Sequence, residues 1–288
     1  REKNFRQAAN LLKTVADSGS NRADAARYRL LQSLVELKRY KEAEPVAEAL
    51  RRSPVQTHAT SADFYRALLL EKAGHSAEAR SEYLKFLVAH PDSEYSPRAL
   101  FSAAELAMEL REYPAAVREF FEFAEKNPKS DSAPAALYQA MQSGYFARNA
   151  AETRRAIELL EKKYPESPVV IESRLQLADY LIRDADYDGA LAQLAEVEKY
   201  PAAKSPETAS ELLYDHARIA RLQRQDEDAL KFLEQLLKEH PSNAFGAEAA
   251  LSAGNLKADQ GNYREALKFY ERALTLGPAG RNAELTRG

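Results

Sequence analysis

Residues 94–130, EYSPRALFSAAELAMELREYPAAVREFFEFAEKNPKS, decide the fold. Within them, apolar side chains recur every three or four positions in two segments, roughly 96–110 and 113–126. This is the period of an α-helix with one buried face. A short turn separates the segments, and Asn127-Pro128 follows the second. Proline lacks a backbone N–H and restricts the residue before it, so it ends a helix. The stretch therefore predicts a helical hairpin.

The same pattern recurs along the sequence. Its marker is an aromatic or polar residue followed three positions later by a small one, and the second members are spaced by 36, 37, 37, 37, 39 and 37 residues. The marker pairs are Tyr40–Ala43, Ser76–Ala79, Tyr113–Ala116, Ala150–Thr153, Tyr187–Ala190, Asp226–Ala229 and Tyr263–Ala266. Such regular spacing indicates stacked structural repeats. We predict an all-α fold, a right-handed α-solenoid superhelix of about fifteen helices made of helix-turn-helix repeats.

The spacing assigns residues 1–288 to a single solenoid. Residues 1–20 are predicted to form a lone second helix, and residues 281–288 the start of a further helix or a tail. Seven repeats lie between them: 21–56, 57–93, 94–130, 131–167, 168–204, 205–243 and 244–280. The sequence starts at Arg1 and shows no clear polar capping helix at either end, so we expect the array to continue in a longer parent protein.

Small residues are predicted where the two helices of a repeat cross, because a large side chain there would push the helices apart. The fourth repeat differs, since Met141 and Thr153 replace small residues at the two crossing positions. It also has Gly144 inside its first helix, which costs about 1 kcal/mol relative to alanine. We therefore expect the fourth repeat to be the least stable of the seven.

These features resemble the tetratricopeptide repeat family. The segments Ala99-Leu100-Phe101, Ala136-Leu137-Tyr138 and Tyr164-Pro165-Glu166-Ser167 are similar to the long-period repeats of bacterial envelope members, namely the periplasmic Tol-Pal coordinator and the β-barrel assembly lipoprotein. The resemblance covers nearly the whole chain, although the tryptophan usual in the first helix is absent. It implies a protein of the periplasm or cell envelope, with the cytoplasm as the alternative.

The overall charge and apolar content exclude several functions. The formal net charge is only -3 and no basic stripe is present, so nucleic acid is not the expected partner. No apolar run approaches the ~20 residues of a membrane span, so direct membrane insertion is not expected. The sequence contains no cysteine, which excludes disulfides, thiolate metal sites and cysteine nucleophiles.

No group of residues indicates catalysis. The five histidines are scattered over separate repeats. The segment 184–189 begins like a calcium-binding loop, but its twelfth position holds Ala195 instead of the required glutamate. The repeat spacing places this segment at the start of a helix, where acidic residues are favourable. We therefore predict no cofactor, no metal site and no enzymatic activity.

A groove for a partner is predicted on the first helices of the repeats. Its residues include an aromatic ladder, which lies fifteen positions before the small marker residues. The predicted groove residues are Tyr28, Phe64, Leu68, Phe101, Met108, Tyr138, Tyr145, Tyr214, Arg218 and Arg221. The rings either bind an extended or helical peptide or pack as core between neighbouring first helices. The two arginines either hold a carboxylate or form part of an ordinary solvated face.

The predicted function is a protein–protein interaction scaffold that binds a partner protein or peptide in this groove, within a bacterial envelope assembly. The alternative is the repeat region of a larger secretion, export or regulatory protein, where it would position another domain. The oligomeric state is not predicted.

Overall fold

The computed structural model describes residues 2–18, 22–240 and 243–277, with side chains from residue 9 onward. This part of the chain forms fifteen α-helices and one short 3-10 helix, without a strand. The predicted all-α solenoid fold is thereby confirmed. The further helix predicted at 281–288 lies outside the described residues. The chain divides into two compact units, residues 1–170 and 171–288.

The first unit is built from antiparallel helices joined by short turns, and each helix packs against the next along the chain. Its helices are α1 (Glu2–Ala16), α2 (Ala23–Glu36), α3 (Tyr40–Arg51), α4 (Gln56–Lys72), α5 (Ser76–Ala89), α6 (Ser96–Glu109), α7 (Tyr113–Lys126), α8 (Ala133–Phe146) and α9 (Ala150–Lys163). Its core contains Leu50, Phe64, Tyr83 and Phe120, which are fully buried. Helix α1 lies within residues 1–20, for which a lone second helix is predicted.

The second unit follows the same plan, and its boundary falls near the start of α10. Its elements are α10 (Val169–Arg183), α11 (Tyr187–Val197), the 3-10 helix Pro201–Lys204, α12 (Pro206–Leu222), α13 (Asp226–Glu239), α14 (Gly246–Asp259) and α15 (Tyr263–Leu276). Leu194, Leu233 and Leu236 lie in its core. The predicted repeat boundaries and the assignment of the chain to one solenoid stay predictions.

Within each hairpin, the turn has the same backbone conformation. One turn residue has a positive φ in all seven hairpins, and it lies two positions before the second helix. These residues are Lys38, Gly74, Arg111, Arg148, Ala185, Arg224 and Gly261. A left-handed residue ends the first helix and reverses the chain within a few residues. The two helices of each hairpin are therefore joined by the same tight turn.

The fourth hairpin is closely packed at its crossing, and the expectation that it is the least stable stays a prediction. Helices α8 and α9 approach so closely that a Cβ atom on Gly144 would lie 2.8 Å from Thr153 Oγ1 and 2.9 Å from Thr153 N. The larger Thr153 on α9 is thus accommodated by a glycine on α8. Met141 is fully buried and Thr153 is 5% exposed. Gly144 therefore permits this crossing, in addition to its cost in helix propensity.

Candidate partner-binding surfaces

The aromatic ladder is partly core. Phe64 is 0% exposed and Leu68 is 1% exposed, so neither side chain is available to a partner in this structure. Phe64 stacks on Tyr95 with ring centroids 4.6 Å apart, and it also contacts Tyr83 and Phe86 of α5. The prediction that Phe64 and Leu68 line a groove is corrected accordingly: both stabilise the packing of neighbouring helices.

Three rings of the ladder are covered by an aromatic ring of the following repeat. His58 stacks on Tyr28 at 5.6 Å, as Tyr95 does on Phe64. Phe245 stacks on Tyr214 at 5.0 Å. Each covering ring lies 30 or 31 positions after the ring that it covers. This spacing is visible in the sequence, but the predicted groove does not take it into account.

Tyr28, the ladder residue of α2, forms hydrogen bonds through its hydroxyl group. The hydroxyl groups of Tyr28 and Tyr95 lie 2.7 Å apart, and Gln32 Nε2 donates to Tyr28 Oη at 2.9 Å. Burial raises the pKa of the Tyr95 hydroxyl, and it raises the pKa of Tyr65 as well. These phenols stay neutral at physiological pH and act as hydrogen-bonding groups. Tyr28 itself is half-buried and keeps part of its ring at the surface.

The middle of the ladder is half-buried. Phe101 contacts Phe120 and Phe123 of α7, with centroids 5.6 and 5.0 Å apart, yet part of its ring stays accessible. The position that covers the ladder ring elsewhere is Ser132 here, which has no ring to stack. Half-buried side chains are also found at the remaining predicted positions of this unit, Met108, Tyr138 and Tyr145. At these positions the groove assignment stays a prediction.

In the second unit, Tyr214, Arg218 and Arg221 lie on the same helix, α12. Arg218 Nη1 donates to Asp215 Oδ1 at 2.8 Å and to Asp179 Oδ1 of α10 at 3.1 Å. Burial lowers the pKa of Arg218, but the two carboxylates more than offset this and hold it above its usual value. Arg218 is therefore a structural cation, already held by two aspartates.

Tyr214 lies beside Arg218, whose guanidinium carbon is 6.0 Å from the centre of its ring. Burial, together with nearby Glu248, raises the pKa of the Tyr214 hydroxyl to about 12. The ring is half-buried and held between Phe245 and Arg218.

A cavity of about 700 Å³ opens at this place between α12, α13 and α14, and we call it the α12–α14 cavity. All three residues predicted for this unit line it, together with apolar and further charged side chains. The lining consists of Tyr214, Ala217, Arg218, Arg221, Leu222, Arg224, Asp226, Leu233, Ser252, Leu256 and Asp259. The structure therefore brings Tyr214, Arg218 and Arg221 together at one site.

The charges in the α12–α14 cavity differ in whether they are paired. Across the described residues, Arg221, Arg224, Asp226 and Asp259 form no ion pair and no side-chain hydrogen bond. The sequence analysis missed Arg224 as a cavity residue, because nothing in the sequence shows which way its turn faces. The unpaired groups of both signs are available to a ligand.

Neither a metal site nor a membrane span is found in the described ranges. No cluster of three or more potential ligand side chains occurs there. Among the same residues, no helix combines the length and apolarity that crossing a membrane requires. The segment that resembled a calcium loop instead starts α11, where Asp186 Oδ1 accepts a hydrogen bond from Gly189 N at 2.9 Å. This is an ordinary helix cap, as the repeat spacing predicted.

Comparison with known families agrees with the helical repeats. Residues 122–287 match the tetratricopeptide repeat-like domain, and residues 1–57 and 64–133 match the tetratricopeptide repeat. The chain belongs to the tetratricopeptide repeat family. No match is found among curated proteins. The family matches give no support to the envelope-type subtype suggested by the sequence segments.

Solved structures of two bacterial tetratricopeptide repeat proteins are similar to this chain. One, from Parabacteroides merdae, has 18% identity and a TM-score of 0.53, over 88% of this chain and 93% of that chain. The other, the C-terminal part of a protein from Cytophaga hutchinsonii, has 15% identity and a TM-score of 0.63, over 85% and 94%. Because the sequence identities are this low, the structural similarity shows a shared fold only. Tetratricopeptide repeat domains generally mediate protein–protein interactions and are typically non-catalytic scaffolds.

Proposed function

We propose that this tetratricopeptide repeat protein is an interaction scaffold that holds a segment of a partner protein in the α12–α14 cavity. The observation that carries the proposal is the pair Arg221 and Arg224, which border the cavity and have no partner among the described side chains. A guanidinium presents a planar fork of donors that matches a carboxylate. Half-buried Tyr214 and 51% exposed Leu222 add apolar contact area beside them.

The charges of the cavity define the partner segment further. Within the described part of the chain Asp226 and Asp259 are unpaired as well, so the lining offers two carboxylates beside two guanidinium groups that have no partner there. A segment with only one sign of charge would leave half of these groups without a counter-ion. The proposed segment therefore carries acidic side chains facing Arg221 and Arg224, and basic side chains facing the two aspartates.

Replacing Arg221 and Arg224 by alanine should weaken binding of the native partner at least about tenfold. Each arginine would lose a charge-assisted hydrogen bond worth roughly 1.5–3 kcal/mol. The thermal midpoint should not change, since neither side chain has a partner among the residues that the structure describes. The partner is to be isolated by cross-linking in its native cells, and its affinity then measured by titration calorimetry.

The matched control for this experiment is Arg264→Ala, which removes an exposed arginine of α15 outside the cavity. Its affinity for the partner should equal that of the unmodified protein. Equal affinity of the double variant and the control would refute the proposed site.

We also propose that the protein acts in a bacterial cell-envelope assembly. The similarity of segments such as Tyr164-Pro165-Glu166-Ser167 to envelope-type repeats supports this location. Fractionation of native cells, followed by detection with an antibody, should recover the protein from the envelope fractions. Recovery from the cytosol alone would contradict the proposal.

A further inference from the structure

A second cavity, of about 770 Å³, lies in the first unit between α5, α6 and α7. We call it the α5–α7 cavity. None of the predicted groove residues lines it, so it is a separate surface. Its apolar wall includes Leu84, Leu87, Val88 and Leu100. Two features of this cavity are not explained by the packing of the solenoid.

The first feature is Val88, which is 85% exposed. The repeat spacing aligns Val88 with residues nine positions after each small marker residue in the other repeats. Those residues are Arg52, Glu125, Lys162, Lys199, Lys238 and Thr275. All of them are polar and five are charged, as expected for an exposed helix position. Val88 thus adds an exposed apolar side chain to the apolar wall of the cavity, at a position that is polar in every other repeat.

The second feature is Glu119, which lines the cavity and is 9% exposed. Its Oε1 accepts a hydrogen bond from Arg80 Nη2 at 2.7 Å, whereas its buried Oε2 accepts none from any residue that the structure describes. Arg80 is also shared with Glu112, whose Oε2 lies 3.1 Å from Arg80 Nε. The guanidinium of Arg80 is thus shared between the carboxylates of Glu119 and Glu112. A buried acceptor without a donor is unfavourable, and a ligand that supplies a donor removes this penalty.

The net charge of the cavity lining favours a basic ligand. The cavity lining has three carboxylates against two cations: Asp92, Glu119 and Glu122 against Arg118 and Lys126. Lys126 is already paired with Glu122 at 2.7 Å, whereas neither Asp92 nor Arg118 has an ion-pair partner among the described residues. Arg118 Nη1 donates to the backbone oxygen of Pro114 at 3.1 Å. An acidic ligand would add to the excess of negative charge, while a basic ligand would neutralise it.

We propose that the α5–α7 cavity is a docking site for a partner-protein segment that places one lysine or arginine among apolar side chains. The basic group would approach the carboxylate of Glu119, and the apolar neighbours would cover Val88 and the leucine wall. This site is distinct from the α12–α14 cavity, so either proposal can fail without the other.

A random peptide library displayed on phage tests the proposal. Selection on the unmodified protein, after removal of phage that bind Val88→Arg, should enrich peptides with a lysine or arginine flanked by apolar residues. Val88→Arg introduces the kind of residue present in neighbouring repeats, so it should not alter the thermal midpoint. Failure to enrich any peptide, or enrichment without a basic residue, would overturn the proposal.

The enriched peptide then serves as the probe in fluorescence anisotropy. Glu119→Gln should weaken its binding at least about tenfold, because it removes the charge that pairs with the basic side chain. Glu82→Gln is the matched control, since Glu82 occupies the equivalent position in the preceding repeat. Both oxygens of Glu82 are already paired, one with Arg66 and the other with Lys85.

The control variant should bind the peptide as the unmodified protein does. A control peptide with norleucine in place of the basic residue should bind the unmodified protein more weakly than the enriched peptide does. The loss of affinity should equal the loss caused by Glu119→Gln. The proposal is wrong if Glu82→Gln and Glu119→Gln weaken binding equally, or if the norleucine control peptide binds with undiminished affinity.

Discussion

Replacing Phe64 by alanine should lower the free energy of unfolding of the first unit by ~3–5 kcal/mol. The side chain is completely buried, so its removal loses apolar burial and leaves a cavity. Phe64 also joins two repeats, because it contacts Tyr83 and Phe86 of its own hairpin and stacks on Tyr95 of the next. In a solenoid such contacts between neighbours supply the cooperativity of the array. Denaturant titration followed by circular dichroism measures the loss.

The repeat itself supplies matched controls for Phe64→Ala. Phe101 occupies the same ladder position one repeat later and is half-buried, and Leu251 occupies it in the seventh repeat and is 50% exposed. The loss of stability should therefore decrease from Phe64→Ala to Phe101→Ala to Leu251→Ala. If all three substitutions cost the same, burial by the next repeat is not what stabilises the ladder.

The start of each second helix could be predicted from the sequence to the residue. All seven first marker residues open a helix in the structure, from Tyr40 at the start of α3 to Tyr263 at the start of α15. The spacing succeeds because each hairpin uses the same left-handed turn two positions earlier. Helix period, proline stops and a fixed turn are local properties, so the sequence contains them directly.

The exposure of the ladder could not be predicted by treating each repeat separately. Phe64 and Phe101 have the same residue type at the same repeat position, yet one is buried and the other half-buried. One contact that differs comes from the next repeat, which supplies Tyr95 beside Phe64 but Ser132 at the equivalent position after Phe101. Such a contact joins residues about thirty positions apart, and a pattern within one repeat does not contain it.

The site in the second unit was likewise predictable only in part. Tyr214, Arg218 and Arg221 were predicted together because they follow the helical period on one face of α12. Their different roles were not predictable, since these depend on tertiary neighbours. Arg218 forms ion pairs with Asp215 and Asp179, whereas Arg221 stays unpaired among the described side chains.

Gly144→Ala should destabilise the first unit by about 1–3 kcal/mol, the usual cost of overpacking. Helix propensity alone predicts the opposite, since alanine is better than glycine inside a helix by about 1 kcal/mol. The added Cβ would meet Thr153 Oγ1, N and Cα at 2.8, 2.9 and 3.2 Å. Two of these atoms belong to the backbone of α9, so the whole helix must shift. Hydrogen exchange across 131–163 should become faster than across 94–126.

Gly254→Ala provides the matched comparison in the second unit. The new Cβ would lie 2.5 Å from an edge carbon of the Tyr270 ring, so only a side chain obstructs it. That half-buried ring can turn away at the loss of its 3.0 Å hydrogen bond to Asn255, and the substitution should cost less than Gly144→Ala. Adding Thr153→Ala to Gly144→Ala should restore only part of the stability, because the α9 backbone contacts stay. Full restoration would show that the Thr153 side chain alone requires glycine at this crossing.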